Sequence, residues 1–453
     1  MIRPKFYIIF ADFCFAYISL LLAYVIRFAS FSSLQIALSE NYSKVVIYLI
    51  IVIFAAYLFE LYDCQRFGRR RFLVYRVPAS VLLAFFILSA FYYLIPISQI
   101  GRGLLVIALT VFAVFQFSLR RLIYKFSSRA QFATRILIVG AGELAQDIAD
   151  IVPKDNNIHS FVRFVSCTER EPIVNPELIV GAIEDIDDLV RDYKPQKIII
   201  ALRERRGNLP LRDFMHSKLR GVEILDSITF YEQVKNCLMV EGMQPSAFIY
   251  SQGFKMTSFM RSYKRVYDVF FSSLGLLIAS PIFPLLALLI KFDSPGPIFY
   301  KQLRVGEREV EFFVYKFRTM TQDAEKESGA VWAQKNDPRV TRIGQFMRKT
   351  RLDEIPQLFN VLKGDMSFIG PRPERMAFVE RLKETIPFYS TRHFVKPGVT
   401  GWAQVCYPYG ASDEDALEKL RYDLYYIKNY SIFLDFRIII DTIRVVMSGF
   451  GGR

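Results

Sequence analysis

Asp353 and Glu354 stand side by side in a stretch crowded with cations: Arg348, Lys349 and Arg351 precede them, and Lys363 and Arg372 follow. Pro356 marks a helix start, because proline is tolerated in a first turn, and Leu358, Phe359, Val361 and Leu362 continue at helical apolar spacing. The acidic pair therefore falls in or just before a first helical turn, where free N–H groups and a partial positive charge favour anions. A lone Asp-Glu pair in such a place is commonly no more than a cap on a surface helix. The neighbouring charges favour a chemical role. Two carboxylates, several cations and a rigid Gly370-Pro-Arg-Pro373 turn aiming Arg372 would suit a metal-bound diphosphate.

The chain that must position these groups is 453 residues long, room for two or three domains, and 52% hydrophobic. Its net charge of +14 suits an anionic membrane surface or phosphorylated substrates, and no nucleic-acid-binding module accompanies it. The five cysteines (14, 64, 167, 237 and 406) have no paired spacing and there are only three histidines, which argues against a disulfide framework or a zinc centre.

Residues 1–125 read as a four-helix transmembrane unit, with apolar runs at Phe6–Phe28, Val45–Leu61, Val77–Ile95 and Leu104–Leu119. Asp12 is the one awkward residue of the first run. Arg66, Arg69, Arg70, Arg71 and Arg76 crowd the second loop, and Arg120, Arg121, Lys125 and Arg129 follow the last run. The positive-inside rule then puts both ends of the unit in the cytoplasm. No small-residue cleavage site follows the first run, so it is not read as a signal peptide.

Residues 134–240 alternate strands (Arg135–Val139, Phe161–Val165, Leu178–Val180, Lys197–Ala201, Val222–Leu225) with helices (Glu143–Val152, Ile186–Tyr193, Leu211–Leu219), a Rossmann-like α/β domain. Gly140 and Gly142 give a weak nucleotide-turn signal, since Glu169 comes late for a ribose-binding acid. Structure or regulation without a cofactor is the favoured role. A connector of mixed character follows to about Ser258.

Residues 266–291 enclose an uncharged run from Val269 to Ile290, interrupted by Ser280-Pro281 and then Pro284. Either a proline-kinked spanning helix or a re-entrant hairpin would account for it. Basic flanks on both sides (Arg261, Lys264 and Arg265; Lys291) and the need to keep Asp353 on the nucleotide side favour the re-entrant form. Strands at Ile298–Arg304 and Glu311–Arg318 follow, putting Lys316 and Arg318 on one face. Helices are expected at Ile343–Thr350, Arg375–Thr385 and Glu414–Asn429, with Phe433–Val446 lying on the membrane surface.

Arg351-Leu-Asp-Glu-Ile-Pro-Gln through Phe368-Ile-Gly-Pro-Arg-Pro-Glu374 resembles the signature of the bacterial sugar transferases, the monotopic phosphoglycosyl transferases. Ser294-Pro-Gly-Pro-Ile-Phe-Tyr300, Tyr315-Lys-Phe-Arg-Thr-Met320 and Lys396-Pro-Gly-Val-Thr-Gly-Trp-Ala-Gln404 extend the likeness from about Arg261 to the C-terminus. Val405-Cys-Tyr-Pro-Tyr409 is similar to the exopolysaccharide-associated subgroup and puts the sugar in doubt. The resemblance implies a catalytic domain over 259–453 that moves a sugar 1-phosphate from a UDP-sugar, glucose or galactose being expected, to undecaprenyl phosphate. It implies Asp353 as nucleophile and Mg2+ ligand, Glu354 as its partner, and Arg348 and Arg372 as phosphate clamps. Lys316 and Arg318 are weaker candidates for phosphate binding. It also makes the Ser280-Pro281 break a family feature. A multi-pass protein of the bacterial inner membrane with its catalytic domain in the cytoplasm is expected, in contact with membrane lipids and with a homodimer in view.

Two other classes are weighed against this. A membrane-anchored nucleotide-sugar dehydratase or epimerase needs a Tyr-x-x-x-Lys pair, and Tyr231 and Lys235 have that spacing, but no glycine-rich turn lies in the C-terminal half. A non-catalytic regulator of polysaccharide export would not need the intact Asp353-Glu354 constellation.

Overall fold

The computed structural model describes residues 4–28, 42–62, 70–96, 99–127, 134–152, 160–167, 172–202, 209–243, 245, 248, 253–322, 337–407, 410 and 412–447. Arg66, Arg69, Arg129 and Glu169, cited above, lie outside the described residues. The chain divides into two compact units, Met1–Ser227 and Ile228–Arg453.

The first unit opens with four apolar helices: α1 (Pro4–Phe28), α2 (Tyr42–Leu58), α3 (Arg70–Leu94) and α4 (Arg102–Ser127). Three are long and apolar enough to cross a membrane, and the 17-residue α2 sits at the short limit for a span. Helix α3 begins seven residues before the limit read from the sequence and includes Pro78, and α4 continues eight residues beyond its own limit, through Arg120 and Arg121. The second extension has a clear cause. Arg120 turns inward and grips Asp12 with both terminal nitrogens, at 2.6 and 2.6 Å, while Gln116 donates to the same carboxylate at 3.1 Å. Both charged residues are fully buried, and Arg120 Nε also donates to the Leu61 carbonyl at 3.2 Å. The awkward aspartate of α1 is thus neutralised by a partner more than a hundred residues away.

A parallel five-stranded sheet follows in the order β3-β2-β1-β4-β5, with β1 Thr134–Val139, β2 Ser160–Ser166, β3 Ile179–Ala182, β4 Lys197–Ile200 and β5 Glu223–Asp226. Helices α5 (Glu143–Ile151), α6 (Ile186–Tyr193) and α7 (Leu211–Leu219) connect the strands. Leu137, Val139, Val165 and Ile198 bury the sheet interior, matching the apolar runs of the sequence. Gly140 follows β1 with φ +125°, and a Cβ there would meet the Ala201 carbonyl at 2.7 Å. Close packing against the end of β4 therefore accounts for this glycine with no ligand involved, whereas Gly142 faces open space.

The second unit begins with α8 (Ser227–Lys235), which opens on the last residue of the first, and continues through what the sequence suggested was a mere connector. Leu238 and Val240 are buried in its main core with Val379, Trp402, Leu420 and Leu424, and the Trp402 indole donates to the Asn236 carbonyl at 2.8 Å. Helices α9 (Ser258–Ala279) and α10 (Ile282–Asp293) meet at 62° across Ser280-Pro281. Beyond them lie an antiparallel hairpin, β6 (Phe299–Val305) with β7 (Glu311–Phe317), and helices α11 (Arg342–Thr350) and α12 (Gln357–Lys363). Strand β8 (Ser367–Ile369) pairs in parallel with β9 (Gly398–Thr400), a contact absent from the sequence reading. Four more helices follow among the described residues: α13 (Met376–Thr385), α14 (Trp402–Cys406), α15 (Asp413–Lys428) and α16 (Ile432–Met447).

The bent pair has two faces. Leu286 and Ile290 pack on Phe317 and Met347, whereas Leu277, Ile278 and Phe292 stand 70, 65 and 80% exposed. Helix α16 is likewise apolar outside, with Phe433 and Phe436 exposed, while Asp435 and Asp441 are buried. Removing one partner of a buried ion pair strands the other charge, at a cost of about 3–5 kcal/mol. Asp12→Asn and Arg120→Gln should each lower the thermal midpoint of the detergent-solubilised first unit by several degrees. The double substitution should cost less than the sum of the two.

Candidate active site

Asp353 and Glu354 occupy a single 3-10 turn, Leu352–Glu354, wedged between α11 and α12. Arg351, with φ +60°, ends α11 and reverses the chain so that both carboxylates turn inward, each only 7% exposed. Three cations from three elements converge on Glu354. Its Oε1 accepts from Lys316 Nζ at 3.0 Å and from Arg372 at 2.6 Å, and its Oε2 accepts from Arg351 at 3.4 Å. Burial works against the ionised form, but Arg372, Lys316 and Arg351 outweigh it and hold Glu354 well below the usual carboxylate range.

Asp353 is in the opposite state. Its Oδ1 is buried with no hydrogen-bond partner among the described residues. Burial and then the adjacent Glu354 charge push its carboxyl above the ordinary range, with Lys316 and Arg372 pulling the other way. Two neighbouring carboxylates are therefore sorted by environment into one saturated with cations and one with an oxygen to spare.

The cations are placed by the packing around them. Asn360, fully buried on α12, accepts from the Tyr315 amide at 3.0 Å and donates to the Phe313 carbonyl at 2.7 Å. It thereby docks α12 on β7 so that Lys316, the next residue along, meets Glu354. Arg348 donates from Nε to Thr319 Oγ1 at 2.9 Å and lies in the field of Asp353. The N-terminal turn of α11 reaches Thr319 only because residue 344 is glycine, since a Cβ there would meet the Thr319 carbonyl at 2.1 Å. Asp293 accepts from the Ile343 amide at 3.0 Å and fixes the same helix to the end of α10.

Not every residue singled out from the sequence joins this cluster. Arg318 is buried, but its guanidinium donates to the carbonyls of Ser294 at 2.6 Å and Pro295 at 2.8 Å. It caps the C-terminal end of α10 and holds the Ser-Pro-Gly-Pro turn, so two-residue periodicity misplaced it; it sits just past the last residue of β7. Ser280 and Pro281 lie at the helix bend, beside which Phe283 packs its ring on Phe317 and Phe359. Gly140 and Gly142 lie in the turn between β1 and α5 of the other unit. Tyr231 receives a hydrogen bond from Arg421, and burial raises its phenol, the reverse of what a catalytic tyrosine base requires. Among the described residues no three His, Cys, Asp or Glu side chains group as a metal cage.

Several supporting groups carried no signal that sequence patterns could resolve. Arg265 on α9 donates to the carbonyls of Val361 at 2.6 Å and Leu362 at 2.5 Å, capping α12. Asp268 accepts from Ser367 Oγ at 2.9 Å and the Phe368 amide at 2.8 Å, fixing the strand that leads to Arg372. Both sit in the basic entrance to the apolar run, where they read only as helix flanks.

The family described as "Bacterial sugar transferase" matches residues 259–449, which hold the whole cluster. A UDP-N-acetylgalactosamine-undecaprenyl-phosphate N-acetylgalactosaminephosphotransferase of Aeromonas hydrophila is 50% identical over 190 residues, 42% of this chain and 45% of that protein. The exopolysaccharide production protein PSS of Rhizobium leguminosarum is 45% identical over 185 residues, 40% of this chain and 92% of that protein. An undecaprenyl-phosphate glucose phosphotransferase of Komagataeibacter xylinus is 33% identical over 319 residues, 69% of this chain and 59% of that protein. Fold and likenesses together define a membrane protein whose second unit carries the segment that matches the sugar transferase family. The chain belongs to the bacterial sugar transferase family. The match to the Aeromonas protein spans less than half of that relative's length.

Replacing Asn360 by Ala would leave the Phe313 carbonyl and Tyr315 amide buried without partners, at a cost of roughly 2–4 kcal/mol. A lower unfolding midpoint of the second unit, with that of the first unchanged, is the expected result in a thermal scan resolved by hydrogen exchange.

Proposed function

We propose that the chain transfers a sugar 1-phosphate from a UDP-sugar to undecaprenyl phosphate, releasing UMP, as the priming step of exopolysaccharide synthesis. The observation that carries this reading is the division of labour between the two carboxylates. Glu354, saturated by Lys316, Arg351 and Arg372, is a poor nucleophile but an anchor that arrays cations. Asp353, buried and raised, keeps an unpartnered oxygen with which to attack phosphorus.

In the first half-reaction an Asp353 oxygen bonds to the sugar-bearing phosphorus, and the bond to the bridging oxygen breaks, so UMP departs with that electron pair. In the second, an oxygen of the lipid phosphate attacks the same phosphorus and the Asp353 carboxylate is restored. Arg348 and Arg372 carry the charge of the phosphates, and Lys316 holds Glu354. Asp353 would be the protein's ligand to Mg2+, its buried Oδ1 having no hydrogen-bond partner among the described residues. When bound the ion would neutralise diphosphate charge.

The bent pair supports a re-entrant reading. Asp268 ties its first helix to β8, and Arg318 ties the end of its second to the turn before β6. Helix between Asp268 and the break is about 18 Å long, short of the roughly 30 Å hydrocarbon core. Both ends are thus held by one soluble unit on one face of the membrane. We assign that face to the cytoplasm of a bacterial inner membrane, where UDP-sugars are found. The exposed aromatic side of α16 would rest on the same surface. The strand order supports a Rossmann-like domain, for which we assign no ligand. That domain and the four helices are available for a homodimer, since the chemistry needs neither.

The test is UMP release by the purified full chain with undecaprenyl phosphate, Mg2+ and UDP-glucose, UDP-galactose or UDP-N-acetylgalactosamine; the last is included because of the Aeromonas relative. UMP should form from one donor, and Asp353→Asn should slow it by roughly three orders of magnitude or more. Without lipid acceptor, acid-quenched protein should carry the mass of one phosphosugar on the peptide containing Asp353. Wild-type turnover in Asp353→Asn, or no UMP from any donor, would sink the proposal.

A further inference from the structure

The Gly370-Pro-Arg-Pro373 loop cannot hold its own shape by backbone pairing, because Pro371 and Pro373 have no N–H. Four successive carbonyls are instead held from outside. Pro371 accepts from the Gly398 amide at 2.9 Å and Glu374 from the Val305 amide at 2.8 Å. Between them, Pro373 accepts from Arg304 at 3.3 Å, and the Arg372 carbonyl accepts from Arg392 Nη2 at 3.0 Å.

Arg392 is the unusual member of this set. It is 5% exposed, donates to the Tyr389 hydroxyl at 2.6 Å, and forms an ion pair at 2.9 Å with Asp423, itself 2% exposed. Burying two charges carries a desolvation cost that an apolar pair of like volume would avoid, so stability alone is a weak reason for them. What an apolar pair could not supply is a charge-assisted bond to the Arg372 carbonyl, at the residue whose side chain donates to Glu354.

We propose that Arg392, balanced by Asp423, is a positioning residue for Arg372: it grips the loop from behind, so that the Arg372 guanidinium stays on Glu354 and faces the diphosphate. The inference rests on the reading of Arg372 as a phosphate clamp.

The experiment pairs hydrogen exchange with kinetics on the full chain. In Arg392→Gln, amides of 368–374 should exchange about tenfold faster or more, while those of the β6–β7 hairpin keep their rate. UMP turnover should fall roughly 10–100-fold with the KM for UDP-sugar little changed. Asp423→Asn should act in the same direction, and Arg392→Lys should recover part of the loss. The decisive arm is a cycle with Arg372→Gln: if Arg392 acts through Arg372, the double variant turns over no more slowly than Arg372→Gln alone. Losses that multiply, or unchanged exchange at 368–374, would overturn the positioning role. If the wild type releases no UMP from any donor, the transfer reading fails separately, and the exchange result alone decides whether Arg392 holds the loop.

Discussion

Three cations from three separate elements end on one carboxylate, that of Glu354: Lys316 from a strand, Arg351 from a left-handed turn and Arg372 from a proline-locked loop. Each would be costly to bury alone, and so would Glu354. Together they make a compact knot of opposed charges, cations in excess, that ties the hairpin, the α11–α12 turn and the β8 loop to a common point. Asp353 takes its character from that knot. Its neighbour has already engaged the near cations, so one Asp353 oxygen is left over. The geometry of the site follows from this allocation more than from the position of any one residue.

Around the knot, the structure brings backbone unusually close to backbone. A Cβ on Gly398 would fall 2.0 Å from the Gly370 amide, and one on Gly401 would fall 2.1 Å from the Gly370 carbonyl. The glycines of the Lys396–Gln404 motif are therefore explained by the β8–β9 contact, which sets where Arg372 leaves the strand. A second layer of charge, buried at Asp268 and Arg392 and half-buried at Arg265, supports the first, since each satisfies backbone of the site elements.

Much of this was legible in the sequence. The five parallel strands and the hairpin carry strong periodicity and their limits were read to within a few residues, while the helices α3 and α4 overrun the apolar runs that revealed them. Asp353, Glu354, Arg348 and Arg372 were brought out by charge density and by the family resemblance, and Lys316 by the two-residue period of its strand. The misses have a shared cause. Strands of three residues, such as β8 and β9, are too short to show a period. Arg318 falls just past the end of β7, and its long side chain reaches the α10 terminus, which no local pattern encodes. Asp12 with Arg120, and Arg392 with Asp423, are bonded across long separations, so each member alone reads as an isolated charge.

The unpartnered oxygen of Asp353 has a further meaning. A buried acceptor without a donor withholds about 1–3 kcal/mol from the folded state. Whatever ligand supplies the missing donor or cation returns that energy, so the protein at rest is slightly less stable than its own architecture would permit. Folding and binding at this carboxylate then draw on one reserve at different moments.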